Sequence, residues 1–194
     1  MMREISCHGH SFQPLSLPQL DTIVKELGLK QYHLLGHGVG GAVALERAAN
    51  KRGGGPKDEK VLSLTLASPI LGSTPSDYLE KVSKAYGERE KPVPVCLETS
   101  IESAKEDDRV SVPGEQVMTR AEEVQVPTFI TYGERDIVSG EAMNRLKQSL
   151  SSSPSVGVVQ YSASGHMAHL DEREQYLLDL INFLRIVEGR NTEA

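Results

Sequence analysis

The stretch that most constrains this chain is Tyr32-His33-Leu34-Leu35-Gly36-His37-Gly38-Val39-Gly40-Gly41-Ala42-Val43-Ala44-Leu45. An apolar run from Tyr32 to Leu35 leads into a turn with glycine at four of the six positions 36–41. Helix-forming residues follow from Val39 onward. Strand, tight turn and helix follow one another with no spacer. Glycine is needed where the backbone takes positive φ, or where a helix packs closely on a strand. Gly38 sits at the centre of the turn. It has no side chain.

The remaining chain repeats the alternation. Leu15 to Leu27 has Leu20, Ile23, Val24 and Leu27 at helical spacing. Lys30 to Leu35 is a strand and Val39 to Asn50 a helix. Val61 to Ala67 is a strand, ended by Ser68-Pro69. Val126 to Gly133 is a strand, Gly140 to Leu150 a helix, and Val156 to Tyr161 a strand. Asp171 to Val187 is the last helix, with Leu177, Leu178, Leu180, Ile181 and Leu184 as its apolar stripe, and Glu188 to Ala194 is a frayed tail. Strands alternating with helices predict one α/β domain over 1–194, a parallel sheet flanked by helices. Residues 72–123 break the pattern: charge density rises, and Pro92, Pro94 and Pro113 interrupt any long element. This segment reads as an insertion over the mouth of the sheet.

Composition narrows the function. The formal charge of −6 argues against a phosphate-backbone partner. No apolar run is long enough to span a bilayer, and Met1-Met2-Arg3-Glu4 shows no apolar leader. Cys7 and Cys96 make neither a disulfide framework nor a metal-finger spacing. A cytoplasmic protein without cofactor or metal is the expectation, with an organelle left open. His8 and His10 lie two apart and with His37 could form a three-histidine metal site, but turn histidines facing solvent are the expectation.

In a parallel sheet, chemistry gathers in the loops after the strands. Three positions lie there in chain order: Gly38 at the bend, Asp136 after the Phe129 strand, and His166 after the Val158 strand. A carboxylate that accepts from an imidazole fixes its tautomer and stabilises its cation, so the histidine serves as a base. Asp136 and His166 have the types and places for that pair.

At this point the chain resembles the α/β-hydrolases, and among them the proline iminopeptidases and related amino-acid amidases. The resemblance rests on Leu35-Gly36-His37-Gly38-Val39-Gly40-Gly41, Leu64 to Pro69, Val126 to Asp136, and Ser164-Gly165-His166-Met167-Ala168-His169-Leu170-Asp171-Glu172. The first of these resembles the Gly-x-Ser-x-Gly nucleophile elbow. Cys7 to Ser11 is similar to the turn after the family's fourth strand. The resemblance implies a sheet lacking its first strands, a reduced cap at 72–123, and an ancestor that released N-terminal residues from peptides. It gives Gly38 the nucleophile's position, vacant, with Asp136 and His166 as its partners. Gly36, His37, Val39 and Gly40 complete the elbow, the Val39 amide being the surviving oxyanion donor. Acidic cap residues hold the substrate amine in such relatives, and Glu80, Glu88, Glu90 and Glu98 are the candidates here.

Three readings follow. The first is a non-hydrolytic protein with a binding or assembly role on this scaffold, a peptide or small amide being the ligand expected of it. The second is a hydrolase in which His166 and Asp136 activate water directly. The third is a chain that is an active serine aminopeptidase in its full-length form, or in a form with serine in place of Gly38. Without a neighbouring strand, Tyr32 to Leu35 is expected to be an apolar sheet edge, completed by a homo- or hetero-oligomeric partner or by a rearranged N-terminal strand, or else left in a chain marginal alone.

Overall fold

A computed structural model describes residues 17–49, 59–71 and 118–192. The helix α1 (Leu17–Glu26) precedes β1 (Gln31–His37), α2 (Val39–Ala49) and β2 (Lys60–Ala67). After a 3-10 turn at Ala121–Glu123 come β3 (Thr128–Gly133), α3 (Gly140–Ser149), β4 (Val156–Tyr161), the short α4 (Ala168–Asp171) and α5 (Arg173–Thr192). The four strands pair in parallel in the order β1-β2-β3-β4. Position in the sheet therefore follows position in the sequence, and β1 lies at an edge among the described residues.

Periodicity explains the two layers. Along β3, Phe129 faces one side and Ile130 and Tyr132 the other. Ile130 and Tyr132 join Leu45 of α2, Leu64 and Leu66 of β2, and Met143 and Leu146 of α3 in the larger core. Phe129 joins Tyr161 of β4 and Tyr176 and Leu180 of α5 in the smaller one. Ser139 caps α3 by accepting from the Ala142 amide at 3.2 Å. Most of the 72–123 insertion lies outside the described residues. Its last part packs inward: Ala121, with the following Val124, is buried in the larger core.

The C-terminal helix departs from expectation twice. It breaks at Glu172 and then runs to Thr192, so 188–192 are helical and not a frayed tail. Its buried stripe is Tyr176, Leu180, Phe183, Leu184 and Val187. Leu177, Leu178 and Ile181, expected in that stripe, are exposed. The succession 176, 180, 183/184 and 187 keeps a residue on the sheet-facing side, centred between Tyr176 and Val187. Positions 177 and 181 fall to one flank and 178 on the back.

In β2, Leu64 and Leu66 face the larger core as expected. Ser63 and Thr65 on the opposite side are buried as well. A register shift between Tyr32 and His33 skips Leu62, a bulge at the start of the β1–β2 ladder.

Candidate active site

The bend after β1 is built by two glycines with different duties. Gly38 has φ +55°, a left-handed value that side chains resist. Gly36 lies under the first turn of α2. A Cβ there would run into the Gly40 carbonyl oxygen and stand 2.8 Å from Ala44 Cβ. Backbone bonds hold the bend: the Gly38 amide donates to Ala67 O at 3.0 Å, and Gly38 O accepts from Gly41 and Ile70, each at 3.0 Å. Val39 opens α2, where the first amides have no acceptor inside the helix.

The three loops converge as the sequence predicts. His166 Nδ1–H donates to Asp136 Oδ1 at 3.1 Å. Both side chains are buried. A Cβ added at Gly38 would stand 3.3 Å from His166 Nε2 and 3.4 Å from Ile70 Cδ1. The face of His166 opposite its carboxylate is thus turned toward the empty side-chain position of the bend. Burial alone would raise the Asp136 carboxyl. The bond and charge of His166 outweigh it, with Ser68 and the Val138 amide adding to them, and hold the carboxyl below its ordinary value.

His37 belongs to this cluster. Its Nε2–H donates to the His166 carbonyl at 3.0 Å. Its ring lies 4.5 Å from that of His166 and 5.1 Å from that of His169. Burial first, and then the neighbouring His166, push its pKa down to about 3, so the ring is neutral at physiological pH. His169 is lowered by the same two causes. His8 and His10 lie outside the described residues, as do the acidic candidates Glu80, Glu88, Glu90 and Glu98 and the Cys7 to Ser11 turn. Among the described residues no group of histidine, cysteine and carboxylate side chains is arranged to hold a metal ion.

Three supports escaped the sequence reading. Glu172 Oε2 accepts from the Ala163 amide at 2.9 Å and from Ser164 Oγ at 2.6 Å. Asp171 Oδ2 accepts from the Gly165 amide at 2.9 Å. Together they clamp the loop that carries His166. Asp171-Glu172 read as a helix start and as the end of the His166 segment, and neither reading gave them a clamping role. The third is Ser68, buried at the end of β2 with φ +46°. Its amide donates to Thr131 O at 2.7 Å, which fixes this strained residue beside Asp136.

Comparison with solved structures agrees with the fold. The proline iminopeptidase of Mycobacterium smegmatis superposes with a TM-score of 0.67 at 15% identity, over 90% of this chain and 72% of that one. MenH from S. aureus gives 0.62 at 20% identity, over 89% and 74%. The esterase EaEST from Exiguobacterium antarcticum gives 0.60 at 18% identity, over 88% and 74%. The chain has the α/β-hydrolase fold. No family model and no curated protein matches it in sequence. Identities at this level speak for the fold alone. Several hydrolase-type chemistries share it, so activity has to be argued from the site. Among the described residues no helix is long and apolar enough to cross a membrane.

Proposed function

We propose that this α/β-hydrolase-fold chain is a non-hydrolytic protein whose pocket binds a peptide or small amide without cleaving it. One observation carries the reading: the position facing His166 Nε2 is Gly38, which has no atom to form an acyl bond. Covalent catalysis needs a hydroxyl or thiol there, passing its proton to the imidazole while the carboxylate steadies the resulting cation. The dyad is present and the nucleophile is not. The proline iminopeptidase likeness supports peptides with a free N-terminus as the ligand class.

A second reading is favoured by the intact 3.1 Å contact between His166 and Asp136. A base so held takes a proton from water directly, and the chain is then a slow hydrolase.

The test uses prolyl-4-nitroanilide and 4-nitrophenyl acetate with the unmodified chain, Gly38→Ser and His166→Ala. The non-hydrolytic reading predicts no turnover by the unmodified chain. It predicts a gain of about a hundredfold or more over background in Gly38→Ser. Turnover by the unmodified chain that His166→Ala abolishes would establish the water-activating reading instead.

A further inference from the structure

Ser68 stands between the two halves of the site. It follows β2 directly, and the residues around it are bonded to the bend. Ala67 O accepts from the Gly38 amide, and the Ile70 amide donates to Gly38 O, each at 3.0 Å. The amide of Ser68 itself donates the other way, to Thr131 O of β3 at 2.7 Å. The strand β3 runs on to Gly133 and the loop that carries Asp136, whose amide donates back to Gly133 O at 3.1 Å.

The backbone of Ser68 is held where a serine does not rest. Its φ of +46° is the one positive value at a residue other than glycine among the described residues. Pro69 follows, and the residue before a proline ordinarily takes extended backbone. Packing explains why the chain turns so sharply here. A Cβ added at Gly41 would stand 2.8 Å from Pro69 Cβ, so α2 lies directly on the turn. Packing does not explain why the turn carries a side chain, since glycine meets such a φ without strain. A side chain kept at that cost points to a task of its own.

The carboxylate of Asp136 supplies the task. Its side chain is buried. Oδ1 accepts from His166 Nδ1–H at 3.1 Å and from the Val138 amide at 3.3 Å. Oδ2 is buried as well and makes no hydrogen bond. A buried acceptor left so is costly, and two bonds on one oxygen do not stop the group from turning about its last bond. Ser68 is 2% exposed, and after His166 its hydroxyl is the side chain that favours the charged form of this carboxylate.

We propose that Ser68 is a positioning residue for the pair of His166 and Asp136: its hydroxyl donates to Oδ2 and holds the carboxylate in the rotation that presents Oδ1 to the imidazole. Three donors then fix one planar group, two on Oδ1 and one on Oδ2. The strained turn after β2 is what brings the hydroxyl there. The assignment rests on the pairing of His166 with Asp136, and not on whether the pocket turns substrate over.

The test is exchange of the His166 Nδ1 proton with water, read by NMR on the full chain with isotope-labelled histidine, in the parent, Ser68→Ala and Ser68→Gly. Both variants lose the hydroxyl, and Ser68→Gly also relieves the backbone. Exchange is expected to be about tenfold faster in both, the worth of one hydrogen bond to a charged group. Urea denaturation is expected to find Ser68→Gly the more stable of the two. Each change made in Gly38→Ser is expected to slow fluorophosphonate labelling by about tenfold. Parent-like exchange in Ser68→Gly overturns the proposal and leaves Ser68 a backbone role alone. A parent without a slowly exchanging Nδ1 proton overturns it too, because the carboxylate is then not held. A Ser68→Gly chain no more stable than Ser68→Ala removes the strain on which the assignment is argued. If Gly38→Ser takes no label at all, the vacant-nucleophile reading fails, while exchange in the chain with Gly38 still decides on Ser68.

Discussion

The strands β1 and β3 each carry part of one site, and they stand in opposite surroundings. All six residues of β3 are buried, between α3 on one side and α5 on the other. In β1 only Gly36 is buried. Yet a Cβ added at Gly38, at the end of the exposed strand, would stand 3.3 Å from His166 Nε2, nearly as close as the 3.1 Å contact of Asp136 on the other side of the ring. Site geometry here does not depend on how well the supporting strand is covered. It depends on local devices: a glycine under a helix, backbone bonds across the strand ends, and a carboxylate clamp on the histidine loop.

That contrast can be broken experimentally, and the largest effect belongs to Gly36. Gly36→Ala drives a methyl into the Gly40 backbone, and is expected to cost about 3 kcal/mol or more. Chemical denaturation measures it. A loss under about 1 kcal/mol would show that α2 can move off the strand and that the bend is not held as described.

Next come paired truncations of the two environments. Leu64 of β2 is fully buried in the larger core, so Leu64→Ala is expected to cost about 2–5 kcal/mol. Leu35→Ala in β1 is expected to cost less than about 1 kcal/mol, because half of its side chain is already in water. Equal losses would mean that the β1 edge is covered in solution.

A further effect is one of pH. His37 has its pKa lowered to about 3. Below the ordinary histidine value of about 6.5 the unfolded chain binds a proton that the folded chain refuses. The stability this gives is full above that value and is lost as pH falls toward 3. The slope is at most about 1.4 kcal/mol per pH unit for the single group. Denaturation of the wild-type chain and of His37→Gln between those limits reads the difference. His169 adds in the same direction. Asp136 acts lower still: with its carboxyl held below the usual value, its contribution persists until pH falls through the carboxylate range.

The elements were legible because their signals are local. The bend could be read from four glycines in six residues, and β4 from its apolar run. The convergence of Gly38, Asp136 and His166 followed from strand order. What escaped has a common cause. The stripe of α5 went wrong because Leu177 and Ile181 are apolar without facing the sheet, and Tyr176 faces it without being aliphatic. The Glu172 clamp was invisible because an acidic residue at a helix start has an ordinary local explanation. The strain at Ser68 follows from contacts between strand ends, which no single segment encodes.

The most direct test of the vacant-nucleophile account is covalent labelling by a fluorophosphonate probe, read by intact mass. The account predicts no adduct on the unmodified chain, a single adduct on Gly38→Ser, and none on Gly38→Ser combined with His166→Ala. An adduct on the unmodified chain, or a folded Gly38→Ser chain that remains unlabelled, would contradict it.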